Sequence, residues 1–392
     1  MASERDVVII GAGPAGLSLA ISLADAGFGV TVVEKLPRAT LADPAPDGRE
    51  IALTHRAVDI LQSLGMWQRF PAGDISPIRE ARVIDGKSRH FLGFDTRGTQ
   101  QTELGYLVPN NVIRKAAFEG AVARPEVEII AGAGVSDVAT SADSAEVRLA
   151  DGRVLTAPLM VAADSRFSDA RRRMGIGADM RDFGRTVIVC RLAHELPHEG
   201  IAHECFHYGR TLAVLPLNGL MSSAVITLSA DQASAMMQMP AAEFGKLVSE
   251  QFESRLGPMQ LVGERHSYPL VAVYAQRFVA HRFALLGDAA VGMHPVTAHG
   301  FNCGLYGVES LTRAIRGARA AGRDIGSMSV LARYQSEHRR ATRPIYLGTN
   351  VLVSLFTDDE MPARFIRTAV LRLANRLPPL KAGITRQLTG RA

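Results

Sequence analysis

The stretch DVVIIGAGPAGLSLAISLADAGFGVTVVE, residues 6–34, contains an apolar strand, a glycine-rich turn, a helical segment and a second strand, in that order. The glycines of the turn have the spacing GxGxxG, and Glu34 stands at the end of the second strand. Such glycines let the backbone approach a pyrophosphate, and an acid at that place can accept hydrogen bonds from the hydroxyls of an adenosine ribose. The stretch therefore predicts a Rossmann-type unit that binds a dinucleotide, without separating NAD from FAD. Its candidate cofactor contacts are Gly11, Gly13, Pro14, Ala15, Gly16, Glu34 and Lys35.

A second stretch, RFALLGDAAVGMHPVTAHGFNCGL at residues 282–305, indicates which dinucleotide binds. The apolar run from Phe283 to Leu286 reads as a buried strand, and Asp288 follows it closely. A carboxylate at the C-terminal end of a strand can accept hydrogen bonds from ligand hydroxyls, such as those of a ribityl chain. The helix predicted after Gly300 would begin with free N–H groups, which favour the partial negative charge of a reduced flavin. The predicted dinucleotide is therefore FAD.

Three motifs carry a resemblance to a known family. They are the glycine-rich turn, the stretch VAADSRFSDARRRMG at residues 161–175, and the Gly-Asp stretch followed by His-Pro and Gly-Phe-Asn. In this order they resemble the fingerprints of the FAD-dependent aromatic hydroxylases, the para-hydroxybenzoate hydroxylase superfamily. The last motif looks most like that of the ubiquinone-biosynthesis hydroxylases. The sequence departs from the family pattern at Ser165, His299 and Gly307, where the family usually has Gly, Gln and Asp.

The resemblance implies an enzyme, an FAD-dependent monooxygenase that hydroxylates a prenylated phenol in ubiquinone biosynthesis through a flavin C4a-hydroperoxide. NAD(P)H is the expected electron donor. Because the chain has one dinucleotide fingerprint, NAD(P)H would visit the cleft transiently, or a partner protein would supply the electrons. O2 and the phenol are the other expected partners, and neither metal nor nucleic acid is expected. Two alternatives stay open: another flavoenzyme of this fold, such as a prenyl reductase, and a non-catalytic FAD-bearing scaffold.

The resemblance also implies roles for single residues. Arg49 is expected beside the flavin and its phosphates, since a guanidinium can bind phosphate oxygens in a bidentate way. The backbone of Pro295 is expected beside the reactive flavin carbon, and His299 is a candidate base. The candidate catalytic residues are His294, Pro295 and His299. The further candidate cofactor contacts are Arg49, Asn110, Asp164, Arg171, Gly287, Asp288, Pro295, Gly300, Phe301 and Asn302.

The expected fold class is α/β, with a Rossmann-type FAD-binding domain of the glutathione-reductase kind, an inserted β-sheet substrate domain and a C-terminal helical segment. The ranges expected are 1–74, 100–178 and 275–335 for the FAD-binding domain, 75–99 and 179–274 for the substrate domain, and 336–392 for the C-terminal helical region. Strands at 127–130, 146–149 and 154–157 predict a β-meander, and 183–270 predicts short strands with one helix from Ala241 to Leu256. Beyond Tyr334, helices are expected to alternate with prolines, the first of them Pro344.

Composition is typical of a globular protein. A chain of 392 residues with 47% apolar residues can form two or three domains of about 150 residues each. No stretch reaches the roughly 18 to 20 uninterrupted apolar residues of a membrane helix. Its three cysteines form no CxxC pair, which indicates a reducing cytoplasm.

The C-terminal end is basic. Residues 339–392 hold ten Lys and Arg against three Asp and Glu. Phe365, Ala369, Leu373 and Leu377 have the spacing of an amphipathic helix. The pattern predicts contact with an anionic surface, such as that of the inner membrane, or with a biosynthetic complex, although a packed terminal helix fits equally well. A homodimer also stays open.

One motif points to a chemistry that its context excludes. His194 to His198 read H-E-x-x-H, which on a helix would direct two histidines and a glutamate to a zinc ion. Pro197 would disrupt such a helix, and the residues before His194 have the pattern of a strand. We therefore predict that this motif is not helical and binds no zinc.

Overall fold

The computed structural model describes residues 5–85, 91–97, 99, 101–207, 210–293 and 299–357. Its strands are β1 (Val7–Ile10), β2 (Val30–Glu34), β3 (Glu50–Leu53), β4 (Ser76–Ile78), β5 (Glu80–Asp85), β6 (Phe91–Asp95), β7 (Gly105–Pro109), β8 (Val127–Ala131), β9 (Val135–Thr140), β10 (Ala145–Leu149), β11 (Val154–Ala157), β12 (Leu159–Ala162), β13 (Ala178–His194), β14 (Ile201–His207), β15 (Arg210–Leu217), β16 (Met221–Ser229), β17 (Met259–Ala275), β18 (Val279–Ala280), β19 (Phe283–Leu285) and β20 (Val291–Gly292).

Its α-helices are α1 (Pro14–Asp25), α2 (Arg38–Ala42), α3 (His55–Ser63), α4 (Asn110–Val122), α5 (Asp169–Arg173), α6 (Ala230–Gln238), α7 (Ala241–Gln251), α8 (Gly300–Ala320) and α9 (Met328–Thr357). Short 3-10 turns occur at Trp67–Arg69, Ala72–Asp74 and Gly287–Ala289.

The predicted α/β fold class is confirmed by a six-stranded sheet in the order β18-β19-β12-β1-β2-β8. Strands β19, β12, β1, β2 and β8 run parallel to one another, and β18 pairs with β19 antiparallel. All of β1 is buried, as expected where helices cover both faces of a parallel sheet. Because the strands are parallel, their carboxyl ends meet at one edge, and the chain segments that follow β1, β2, β12 and β19 lie together there.

The prediction of a β-meander from residue 127 is wrong in part. Val127–Ala131 pairs in parallel with β2 and belongs to the Rossmann-type sheet. The meander consists instead of β9, β10 and β11, with antiparallel pairing throughout. Strand β9 is absent from the prediction because Val138 is its only fully buried residue, so the apolar alternation that marks a strand is weak there.

The second large sheet has eight strands in the order β20-β17-β13-β16-β15-β14-β5-β6. The expectation of short strands is wrong for β13 and β17, which have 17 residues each and shift register along their length. The expectation of one helix is also wrong, because α6 and α7 both pack on this sheet. They cover one face of it, where Leu212, Ile226 and Phe244 share an apolar core.

The H-E-x-x-H motif is not helical, as predicted. His194 is the last residue of β13, and its ring nitrogens contact the Leu196 carbonyl and the Ser222 hydroxyl at 2.9 and 3.0 Å. Both nitrogens are therefore engaged within the protein.

A third sheet of three antiparallel strands, β3-β7-β4, lies against the other face of the eight-stranded sheet. Ile78 and Leu107 of the small sheet pack with Phe94 and Leu217 of the large one. Strand β4 falls in the range expected for the substrate domain, yet it pairs with β7, which falls in the FAD-binding range. The domain boundaries therefore stay a prediction.

The last described helix, α9, runs through Pro344, so the expectation that this proline ends a helix is wrong. Packing of α9 on α8 offsets the hydrogen bond that proline cannot make. The predicted basic helix from Phe365 to Leu377, and the later prolines, lie outside the described residues. None of the described helices combines the length and the apolar character that crossing a membrane requires.

Candidate functional site

The glycine-rich turn between β1 and α1 combines close packing with open space. A Cβ at Gly11, whose φ is +107°, would lie 2.5 Å from the Ala163 carbonyl oxygen, and one at Gly16 would overlap the Gly11 carbonyl. At Gly13, by contrast, no atom of the described chain segments lies within 4 Å of the Cβ position. Two glycines thus let the turn pack on β12 and on itself, and the third leaves room for a ligand at the start of α1, where free N–H groups favour an anion.

Glu34 ends β2 with its carboxylate held over this turn. One oxygen accepts a hydrogen bond from the Ala12 N–H at 2.8 Å, and the other accepts from the Leu36 N–H at 2.9 Å. A carboxylate oxygen can accept more than one hydrogen bond, so both retain capacity for ligand hydroxyls. Lys35 is exposed at the same strand end.

Asp288 lies in the 3-10 turn after β19, and this turn packs on the start of α1. The Cβ position of Gly287, whose φ is +60°, is 3.1 Å from the Ala15 Cβ. The structure thus brings the two outer motifs of the sequence together. Arg166 donates to the Asp288 carboxylate at 3.0 Å and to the Val271 carbonyl at 2.9 Å. Sequence reasoning missed Arg166, because the contact joins residues far apart in the chain.

Asp164 precedes the short helix α5 and Arg171 lies within it, and their environments differ. Arg171 is buried and donates to the carbonyls of Ala289 and Arg166 at 2.8 and 3.1 Å. Burial lowers the pKa of this guanidinium. Arg171 therefore holds the stretch of residues 161–175 against the turn that contains Asp288. Asp164 accepts from the Asp169 N–H at 3.1 Å with one oxygen, and its other oxygen is buried with no partner in the described part of the chain.

Arg49 and Asn110 meet at a third residue, Asp47. Both Arg49, at 2.6 Å, and Asn110, at 2.7 Å, donate to the same Asp47 oxygen. Burial alone would raise the pKa of Asp47, but the hydrogen bond and charge of Arg49 outweigh it and hold that pKa below its usual value. The guanidinium also lies over the Tyr268 ring, 5.3 Å from its centroid. Asn110 is the first residue of α4, and Pro109 is the N-cap.

Helix α8 begins at Gly300 and is tied to β3 by Asn302. The Asn302 side chain accepts from the Thr54 N–H at 3.0 Å and donates to the Ala52 carbonyl at 2.8 Å. Thr54 in turn caps α3. No atom of the described residues lies within 4 Å of the Cβ position at Gly300, so as far as those residues extend the helix start has space for a ligand beside it. The Asn302 side chain therefore has a structural task that the sequence did not reveal.

The remaining predicted residues divide into two groups. His299 is the N-cap of α8 and is buried. His294 and Pro295 lie outside the described residues.

The departure from the family pattern at Gly307 has a clear physical reason, because a Cβ there would lie 2.8 Å from Leu286 Cδ1 and 3.0 Å from His338 Cε1.

The site as a whole fits a dinucleotide that carries a flavin. Gly13, Glu34, Asp164 and Asp288 each follow the carboxyl end of a parallel strand, β1, β2, β12 and β19 respectively. Ligands of open α/β sheets bind at this edge. Open space at Gly13 and Gly300, and the unpartnered Asp164 oxygen, match a ligand with both phosphate and hydroxyl groups. Across the described ranges, no three His, Cys, Asp or Glu side chains are grouped to hold a metal ion.

A family model described as an FAD binding domain matches residues 4–345 of this chain. Among curated proteins, the ubiquinone hydroxylase UbiM of Neisseria meningitidis is 47% identical over 394 aligned residues, covering 100% of this chain and 86% of the relative. The ubiquinone hydroxylase UbiL of Rhodospirillum rubrum is 34% identical, covering 98% of this chain and 89% of the relative.

Solved structures share the fold. The p-nitrophenol 4-monooxygenase PnpA from Pseudomonas putida superposes with a TM-score of 0.79 at 20% identity, and the match covers 100% of both chains. PqsL from Pseudomonas aeruginosa, a probable FAD-dependent monooxygenase, gives a TM-score of 0.79 at 21% identity, covering 93% of this chain and 99% of that one.

Proposed function

The chain belongs to the FAD-binding domain family, and on that premise we propose that it is an FAD-dependent monooxygenase that hydroxylates the aromatic ring of a prenylated phenol in ubiquinone biosynthesis. The observation that carries this proposal is the 47% identity, over the whole chain, to a ubiquinone hydroxylase. The cofactor is FAD, and NAD(P)H is the proposed electron donor.

The interior of the fold supports an apolar substrate. The face of the eight-stranded sheet opposite α6 and α7 presents Leu215 and Val83, and the small sheet presents Ala52 and Leu107 to it. Burial of apolar surface of a prenylated ring there would contribute about 25 cal/mol per Å². The same region adjoins Asn302, whose side chain bonds to the Ala52 carbonyl.

Bound and reduced, FAD supplies two electrons to O2 and one oxygen atom reaches the ring. We assign the chain's residues to the cofactor from their positions at the sheet edge. The glycine-rich turn binds the pyrophosphate at the start of α1, Glu34 accepts from the adenosine ribose, and Asp288 accepts from a ribityl hydroxyl. Arg49 balances phosphate charge, since its guanidinium remains partly exposed beyond Asp47.

The start of α8 is assigned to the flavin ring. The N-terminal end of a helix favours negative charge, so the start of α8 would stabilise such charge on the flavin carbonyl side. His294 and Pro295 precede this helix in the chain, and we assign them, with His299, to the reacting side of the ring. The protein's task there is to keep water out and to aim the ring carbon.

The reaction can be tested without knowing the natural reductant. The purified flavoprotein is photoreduced without oxygen and mixed with a 2-prenylphenol and labelled O2, and the product is analysed by mass spectrometry. We expect one labelled oxygen atom in the phenol. Reoxidation of the flavin that releases only hydrogen peroxide, across a panel of phenols, would argue instead for a scaffold or another flavoenzyme class.

We further propose that the basic end, residues 339–392, holds this cytoplasmic protein at an anionic membrane surface, where prenylated substrates are found. The excess of ten Lys and Arg over three Asp and Glu supports the proposal. The protein should sediment with vesicles that contain anionic lipid and not with neutral ones. A variant with Arg364, Arg367, Arg372 and Arg376 changed to Gln should lose this binding. Equal binding of the wild type and this variant to anionic vesicles would contradict the assignment.

A further inference from the structure

Glu204 lies in the middle of β14, inside the eight-stranded sheet. Pairing places it between Ala213 of β15 and Val83 of β5. The row continues to Val225 on one side and to Leu92 on the other. Glu204 is therefore a carboxylate in a row of otherwise apolar residues.

The direction of the Glu204 side chain follows from its neighbours. Cys205 belongs to the core under α6 and α7, and the His203 ring contacts the Phe252 ring of that core at 5.1 Å. Ala202 belongs to the apolar cluster on the opposite face, together with Leu215. Because side chains alternate along a strand, Glu204 shares the face of Ala202 and Leu215. That face is the one turned toward the small sheet, which we assign to the substrate.

The Glu204 carboxylate has no hydrogen bond or ion pair with any residue in the described ranges. The Glu204 residue is half-buried and therefore partly accessible. Burial raises the pKa of Glu204 to about 8. A carboxyl group without a partner in such a place is destabilising for the fold, and this is the pattern expected of a functional group.

Charged groups on this face come from several elements. Asp85 lies on β5, Arg185 and Arg191 on β13, and His266 on β17. Glu50 on β3 reaches this face, as do Asp47 and Arg49 just before it, where Arg49 lies over the Tyr268 ring. Arg191 and Glu50 pair with each other at 2.7 Å. Strands β15 and β16 contribute only uncharged side chains to it. Glu204 is thus a carboxylate of this face whose partners on both neighbouring strands, Val83 and Ala213, are apolar.

We propose that Glu204 is a catalytic residue of the hydroxylation, whose carboxylate accepts the proton of the phenol hydroxyl and so orients and activates the ring. The inference rests on the proposed function. An electron-rich phenolate is more reactive toward an electrophilic oxygen than the neutral phenol. The pKa of a phenol is about 10, and a raised carboxyl pKa differs from it less than an ordinary carboxyl pKa does. This smaller difference favours proton transfer between the two groups.

The proposed hydroxylation balances in protons and electrons. The phenol O–H bond breaks, its electron pair stays on the ring oxygen, and Glu204 holds the proton. One atom of O2 is inserted at a ring carbon, and the hydrogen of that carbon ends on the new hydroxyl group. The other oxygen atom leaves as water with the two electrons and two hydrogens of the reduced flavin. Glu204 then returns its proton to the ring oxygen of the product.

The test compares wild type with Glu204→Gln, which keeps the shape of the side chain and removes its basicity. Both proteins, loaded with FAD and photoreduced, are mixed with a 2-prenylphenol and labelled O2 from pH 6.5 to 9.5. We expect the wild-type rate of labelled product formation to rise through about pH 8. In the variant the rate should fall about 100-fold and lose this rise, with hydrogen peroxide replacing product.

Two further variants separate catalysis from folding. Glu264→Gln changes an exposed carboxylate of the same sheet and should behave as wild type. Glu204→Asp retains a carboxylate and should keep the pH-dependent rise at a reduced rate. FAD content and phenol binding, measured from the flavin spectrum, should stay within a few-fold in all variants, whereas a merely structural role would change them.

The outcomes distinguish the two proposals. Labelled product from Glu204→Gln at the wild-type rate and pH profile would overturn the role of Glu204 and leave the monooxygenase intact. A wild-type rate that is flat with pH would also overturn it. Absence of labelled product from wild type itself would remove the proposed function, and the role of Glu204 with it.

Discussion

At the scale of single residues, Glu34 joins the cofactor turn to the end of β2. Its carboxylate accepts the Ala12 N–H of the glycine-rich turn at 2.8 Å, so the residue that would bind the ribose also fixes the loop that would bind the pyrophosphate. Changing it affects two parts of the cofactor at once.

We expect Glu34→Gln to weaken FAD binding by about 10- to 100-fold, because a hydrogen bond to a charged group contributes about 1.5 to 3 kcal/mol. Fluorescence of released FAD on dilution measures the dissociation constant. The matched control is Glu128→Gln, which changes an exposed carboxylate on the neighbouring strand β8. This variant should bind FAD as tightly as the wild type. Unchanged affinity in Glu34→Gln would show that the ribose lies elsewhere.

The residues of the site differ in how far sequence could reveal them. Gly11, Gly16 and Glu34 act within one strand-turn-helix-strand unit, so their spacing alone predicts where they lie. Arg166 and Glu204 depend on pairings between distant segments, and neither belongs to a local pattern. The two hydrogen bonds of the Asn302 side chain, to Ala52 of β3 and to the N-cap residue Thr54, likewise depend on the tertiary fold.

At the scale of elements, helix α8 contains two glycines with opposite surroundings. Gly307 faces Leu286 and His338, and a Cβ there would come within 3.0 Å of both. Gly317 is exposed, with nothing within 4 Å of its Cβ position. The first glycine therefore allows α8 to pack on the sheet and α9, and the second has no such task.

These surroundings predict opposite effects of the same substitution. Gly317→Ala should stabilise the protein by about 0.5 to 1 kcal/mol, because alanine is the better helix former. Gly307→Ala should destabilise it by about 1 to 3 kcal/mol, because the added methyl group displaces packed atoms. Urea unfolding of the FAD-loaded proteins measures both. Equal shifts of the same sign would contradict the role of Gly307.

Element types were easier to predict than element partners. The sequence predicts correctly that Val127–Ala131 is a strand. It does not predict that this strand pairs with β2 and not with the meander, because periodicity carries no information about the partner of a strand. Pro344 is a similar case, since its local preference would end α9 and the contact with α8 overrides it.

At the scale of the whole molecule, two buried histidines make stability depend on pH. Burial lowers the pKa of His203, in the eight-stranded sheet, to about 4. Burial also lowers the pKa of His338, a residue of α9, to about 4. Both values lie below the ordinary value of about 6.5. Folding therefore favours the neutral form of both imidazoles. Their contribution to the free energy of unfolding is fully present above pH 6.5 and is lost as the pH falls toward 4.

We expect the free energy of unfolding, measured with urea, to fall by a few kcal/mol between pH 6.5 and pH 4.5. Each histidine contributes about 1.4 kcal/mol per pKa unit, and the opposite effect of Glu204 offsets only part of the sum. His338→Leu should flatten part of this dependence, because leucine does not titrate. The comparison is made at matched FAD saturation. An identical slope in the variant would show that His338 does not contribute.

The carboxylate of Glu204, which bonds to none of the described residues, has a consequence for protein engineering. Because its pKa is raised to about 8, ionisation opposes folding increasingly as pH rises from about 4.5 to 8. A library selected only for heat resistance at alkaline pH would therefore be enriched in neutral residues at this position. Such thermostable descendants would retain the yellow colour of a bound flavin and lose the ability to use oxygen productively.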